Sequence, residues 1–181
     1  MSGSMHPQDA RKILSAKTVA AVERMAKTDP RIATVAEAWD ADPWLLNTPG
    51  KVINLRTLVI RDPRPDDHMT KSTAVAPGGD CPTWKAFLHK AFASDVELIA
   101  FVQRMLGYSL TGDTSEQALF FLYGQGGNGK GVLLNTVAGI LADYSKTAPM
   151  ATFTDSANAS DRHPTDLAGL RGARFVMASE T

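Results

Sequence analysis

The sequence predicts an α/β protein, in which a helical and small β region precedes a partial α/β core. Three observations predict it. A continuous apolar run, Ala118-Leu119-Phe120-Phe121-Leu122-Tyr123, leads directly into a glycine-rich turn at Gly124–Gly131. Val132, Leu133, Val137, Ile140 and Leu141 then form a helical stripe that ends near Tyr144. A second apolar run, Ala173-Arg174-Phe175-Val176-Met177-Ala178, has the character of a buried parallel strand. Strand, loop, helix and strand in that order begin an α/β core.

The composition bounds the rest. The 181 residues fit one domain, or a small domain with part of another. With 44% hydrophobic and 21% charged residues, there is enough apolar material for a sizeable core. Nineteen basic and nineteen acidic residues give a formal net charge of zero, so no whole-surface attraction to nucleic acid is expected. Contact with DNA would need a local patch or a further part of the protein. The single cysteine, Cys81, excludes an internal disulfide and a multi-cysteine metal site. No basic start followed by an apolar run marks a secretory signal. No stretch approaches the roughly 18 apolar residues of a membrane span. A soluble protein of a reducing cytoplasm is the expectation.

Along the chain, residues 1–8 are expected to be a disordered start. Residues from about Asp9 to Lys27 place Ile13, Val19, Val22 and Met25 among charged residues, as a surface helix does, and Thr28-Asp29-Pro30 stops it. A second helix is expected over about Ile32 to Trp39. Between Trp44 and Val75, the short runs Lys51–Asn54 and Thr57–Ile60 are separated by turn formers such as Thr48-Pro49-Gly50, which predicts a small hairpin or meander. From Pro82, the residues Trp84, Phe87, Leu88, Ala91 and Phe92 share one helix face. Ser94-Asp95-Val96-Glu97 reads as the capping box of a further helix that buries Leu98, Ile99, Val102, Met105 and Leu106 and ends near Gly107. These apolar positions are read as core. The expected domains are therefore an accessory region over 9–115 and a partial core over 116–181.

The chemistry sits in the turn. Gly124-Gln125-Gly126-Gly127-Asn128-Gly129-Lys130-Gly131 fits G-x-x-x-x-G-K, most of the Walker A pattern. Glycines let consecutive backbone N–H groups point inward with no Cβ in the way. A helix starting near Gly129 aims its positive end at the same place, and Lys130 supplies a mobile charge for β- and γ-phosphates. Val132 continues the site into the helix. The position between a buried strand and an amphipathic helix is the context that gives the pattern its meaning. This makes the expected core that of a phosphate-loop nucleoside-triphosphatase, with ATP and Mg²⁺ as ligands. One residue departs from the pattern: Gly131 stands where a Ser or Thr hydroxyl usually binds Mg²⁺, so the metal is expected to be held less firmly. Glu180, after an apolar strand and Ser179, is the candidate Walker B acid for Mg²⁺, directly or through a water, or for the attacking water itself.

Several segments together resemble the phage/plasmid-type primase family, whose C-terminal half is a superfamily 3 helicase. They are Trp44–Pro49 with Val52–Thr57, Leu106–Gly112, Phe120–Asn135, Asp166–Arg174 and Ala178–Thr181. Asn54 stands where the family pattern more often has Asp. The resemblance implies an AAA+-like core and an ATP-driven DNA-unwinding motor, working as a homo-oligomeric ring in replicon-encoded DNA replication in the cytoplasm of a bacterial host. Lys130 and Glu180 would be its catalytic residues, and the chain would be truncated after Walker B, without the later helicase motifs or a primase half. Arg171 and Arg174 flank a strand and are read as structural or surface cations rather than finger arginines. Two other classes compete: a different phosphate-loop enzyme, such as a small kinase or partitioning ATPase, and a non-enzymatic assembly fragment.

Overall fold

The structure is a computed structural model that describes residue 13, residues 15–153 and residues 164–178. It is a mixed α/β arrangement of helices with two small sheets. The chain divides into two compact units, Met1–Trp39 and Asp40–Thr181. The start expected to be disordered, residues 1–8, lies outside the described residues.

In the first unit, helix α1 covers Ala16–Thr28. The Ser15 side chain caps it by accepting from the Thr18 amide at 3.2 Å. Lys27 and Glu23, one turn apart, pair at 2.6 Å. Val19, Val22 and Met25 are all exposed, so α1 is the surface helix its pattern predicts. The helix expected over Ile32–Trp39 is only a 3₁₀ turn at Ala36–Ala38. Ile32, Thr34 and Val35 are β-branched, and eight residues cannot repay the cost of nucleating a helix without burial.

The second unit opens on a three-stranded antiparallel meander. Strands β1 (Leu45–Thr48) and β2 (Lys51–Asn54) pair with Leu45 opposite Asn54 and Thr48 opposite Lys51. That register leaves Pro49-Gly50 as a two-residue turn, with Gly50 at φ +74°. Asn54 Oδ1 accepts from the amides of Arg56 and Thr57, both at 3.0 Å, and turns the chain into β3 (Ile60–Arg61). Beyond β3, Arg61 clamps Asp67 through two bonds of 2.8 and 2.6 Å, and the Arg64 amide donates to the same carboxylate. The Arg61 guanidinium holds the Asp67 carboxyl down at about 2.

Helices α2 (Pro82–Ala91) and α3 (Val96–Tyr108) follow. Pro82 starts α2 where its missing N–H costs nothing. The N-cap of α3 is Asp95, whose carboxylate accepts from Glu97 and Leu98 amides at 3.1 and 3.0 Å. The expected capping box placed the cap at Ser94. Ser94 instead adopts φ +60° and leads the chain into the cap.

Helix α4 covers Lys130–Leu141 and joins two cores. Its Leu133 packs with Leu88, Val102 and Met105 of α2 and α3. Val137 and Leu141, further along, pack with Leu46 of β1, Tyr144 and Phe175. Side chains from both sides of residue 115 therefore share one interior. Tyr144 is 1% exposed. Burial raises the pKa of its hydroxyl, which donates to Lys71 O at 3.3 Å and accepts from the Asn47 amide at 3.1 Å.

The second sheet is parallel: β4 (Ser145–Thr147) pairs with β5 (Phe175–Met177), and helix α5 (Pro164–Gly169) lies between them in sequence. β5 is the strand predicted at Ala173–Ala178. The strand expected at Ala118–Tyr123 does not form: no strand is assigned there, and Leu119, Phe121 and Tyr123 are 74%, 73% and 85% exposed. A run apolar on both faces becomes a buried strand only with a strand on each side and a layer over each face. Among the described residues, β5 pairs instead with β4, and nothing pairs with 118–123.

Candidate phosphate-binding site

The loop at 124–131 runs into α4 with Gly129 as N-cap, and Lys130 is the first helical residue. Gly129 has no side chain to cap the helix, so the first-turn N–H groups have neither an intrahelical acceptor nor a cap. No acid occupies that first turn. The helix start is therefore an uncompensated positive end, which favours an anion.

Two glycines are required by their backbone conformation. Gly124 sits at φ +145°, and a Cβ there would collide with Nδ2 of Asn128. Gly129 sits at φ +86°, and a Cβ would come within 3.0 and 3.2 Å of the Phe87 ring. Gly126, Gly127 and Gly131 differ: a Cβ on any of them would meet nothing within 4 Å. The loop thus rests on Phe87 at one point and borders open space at others.

Lys130 folds back over its own loop. Its Nζ donates to Gly124 O at 2.8 Å, to Gln125 O at 3.3 Å and to Asn128 Oδ1 at 2.9 Å. Gly124 through Lys130 are thereby brought together, while Gly131 and Val132 lie in the first turn of α4, with Val132 56% exposed. An ammonium beside glycine amides and a helix start is a donor set for phosphate oxygens.

Glu180 and the preceding Ser179 lie outside the described residues. Among the described residues, no group of three or more His, Cys, Asp or Glu could hold a metal ion. Phe87 is the residue that the sequence pattern did not connect with the loop. Its place on the apolar face of α2 was legible, but its contact with Gly129 was not. Arg174 is structural: its guanidinium donates to Leu110 O and Leu45 O, both at 2.7 Å, and lies 4.5 Å over the Tyr144 ring. No described helix is long and apolar enough to cross a membrane.

Comparison with known proteins gives two similarities. Residues 4–93 match the family described as D5 N terminal like, the N-terminal domain type of phage/plasmid primase–helicases. The chain is also similar to a protein of Acanthamoeba polyphaga mimivirus named "Putative helicase", at 27% identity over 147 residues. That alignment takes in 78% of this chain, a share large enough that it has to include the glycine loop, and 15% of the relative. The chain spans about one-seventh of the length of this relative.

Proposed function

We propose that this chain is the ATP-binding part of a replication helicase of the phage/plasmid primase–helicase kind, in which ATP hydrolysis drives DNA unwinding by the longer protein. One observation carries the reading: the Lys130 ammonium is poised over a glycine loop at an uncapped helix start. The D5 N terminal like match supports the replication context, as does the similarity to a viral protein with a helicase name. Lys130 neutralises the β- and γ-phosphates, and the amides of Gly126 through Gly131 cradle them. Gly124, Gln125, Asn128 and Val132 frame the same pocket. Mg²⁺ would supply charge for the phosphates, and Glu180 would be the acid that orients it or the attacking water. DNA is the partner of the longer protein, which assembles as a ring of identical subunits in the cytoplasm of a bacterial host.

Calorimetry with Mg·ATP and Mg·ADP tests the site. The parent chain is expected to bind both, and Lys130→Ala to bind at least tenfold more weakly. A Lys130→Ala variant that binds like the parent overturns the assignment. ATP hydrolysis by the longer protein, with and without single-stranded DNA, then separates a motor from a kinase, which needs an acceptor. A non-enzymatic assembly role has one observation in its favour, the exposed apolar run at Leu119, Phe121 and Tyr123. It predicts self-association of the longer protein with no turnover.

A further inference from the structure

The geometry points to Asn128 as an internal stand-in for phosphate, an acceptor that holds the Lys130 ammonium and that a nucleotide phosphate has to displace. This inference rests on the phosphate-binding reading above and concerns how that site is kept in check.

An ammonium has three N–H donors. In this loop all three are used internally, on Gly124 O, Gln125 O and Asn128 Oδ1. Lys130 is therefore satisfied within its own loop. A phosphate oxygen can claim it only by taking over one of these bonds. The three acceptors are not equally easy to displace. The two carbonyls belong to the backbone of Gly124 and Gln125, and moving them would re-form the loop entry, where Gly124 already holds φ +145°. The Asn128 oxygen sits on a side chain that leaves by rotating about its own χ angles. It is the acceptor that exchanges.

The seat of that side chain is specific. Asn128 Nδ2 occupies the space where a Cβ on Gly124 would stand. The bare Cα of Gly124 thus lets the Asn128 amide lie flat against the loop with its oxygen on Lys130.

The test is a double-mutant cycle read by Mg·ATP calorimetry on the full chain, using Asn128→Ala, Lys130→Ala and the double variant. Removing a competing acceptor from a charged donor is worth roughly a 3- to 10-fold gain in affinity. Asn128→Ala is expected to tighten binding by that factor, and the gain should vanish when Lys130 is already Ala. A residue that merely shapes the loop would weaken binding in both backgrounds. Asn128→Ser, whose shorter side chain does not reach Nζ, should reproduce the gain and guards against a folding defect specific to alanine. Unchanged or weaker binding by well-folded Asn128→Ala and Asn128→Ser overturns the inference, as does a gain that persists without Lys130. If Lys130→Ala loses affinity while the Asn128 variants gain none, the phosphate site stands and this inference alone fails. If Lys130→Ala binds like the parent, the site itself fails.

Discussion

Replacing Arg174 with Met should destabilise the second unit without touching its nucleotide affinity. The side chain reaches two backbone carbonyls that belong to distant segments, Leu45 at the start of β1 and Leu110 just beyond α3. It also lies over the ring of Tyr144, whose hydroxyl is tied to Asn47 and Lys71. One guanidinium therefore fastens the meander, α3 and β5 around a single aromatic residue. Hydrogen bonds to a charged donor contribute about 1.5–3 kcal/mol each, and the cation–ring contact adds about 0.5–1 kcal/mol. Against this, burial disfavours the charged guanidinium and lowers its pKa, so a neutral side chain of similar length escapes part of that cost. The half-buried setting shrinks the sum further. The net loss expected for Arg174→Met is about 2–4 kcal/mol.

Urea unfolding of parent and variant, followed by tryptophan emission, measures this directly. Trp44 and Trp84 both lie in the second unit, so their emission reports on it. Arg174→Lys should fall between the two, since an ammonium keeps the charge but cannot serve both carbonyls in the planar geometry of a guanidinium. A loss under about 0.5 kcal/mol for Arg174→Met would refute the bracing argument, because that is the range of ordinary surface substitutions. Parent-like stability combined with lost ATP affinity would refute it in a second way, by making Arg174 a ligand-binding cation.

Other outcomes follow from the same contacts. Gly131→Ser should lower the Mg²⁺ concentration needed for tight ATP binding, because it restores a hydroxyl at a position where a Cβ meets nothing. A Mg²⁺ titration at fixed ATP that gives the parent's midpoint would contradict this. Gly129→Ala should cost about 1–3 kcal/mol in urea unfolding, since it combines φ +86° with a close approach to Phe87. Parent-like stability would mean that the loop relaxes freely. Asp67 is held at about 2, below the ordinary carboxylate value of 3.8. Its contribution is complete above pH 4 and is lost as pH falls toward 2, by at most about 2 kcal/mol. Asp67→Asn should remove that part of the acid sensitivity, and an unchanged pH profile would show that Arg61 does not hold the carboxylate in solution.

How much of this was legible in the sequence depends on how local each feature is. The glycine loop was legible as a turn running into a helix because its pattern lies in eight consecutive residues, and the structure brings Gly124 and Lys130 together through contacts inside that same stretch. The Pro49-Gly50 turn and the apolar face of α2 were legible for the same reason; on α3, Val102 and Met105 are buried as expected, while Leu98, expected to be buried, is 40% exposed. The partner of β5 was not. Ser145-Lys146-Thr147 is short and polar, and nothing in its composition marks it as a strand. Its pairing with Phe175–Met177 is a fact about two segments, and neither segment states it alone. Leu46 sharing a core with Val137 and Phe175, and Phe87 beneath Gly129, were hidden likewise, since periodicity names a face but not what meets it.

The run at Ala118–Tyr123 separates the two kinds of feature most clearly. Its sequence has the apolar content of a central strand, yet in the structure it carries no strand pairing, and the loop that follows it is in place regardless. The loop does not need that strand to hold its shape. Lys130 is anchored on Gly124 and Gln125 carbonyls, Asn128 fills the space beside Gly124, and Phe87 supports Gly129 from α2. A loop built this way depends on its own residues and on the helices beneath it. Substitutions at Leu119 or Phe121 should then leave nucleotide affinity within about twofold of the parent, a change too small to register as the loss of a hydrogen bond. A larger loss would mean that the run supports the loop after all, through pairing formed only when nucleotide is bound.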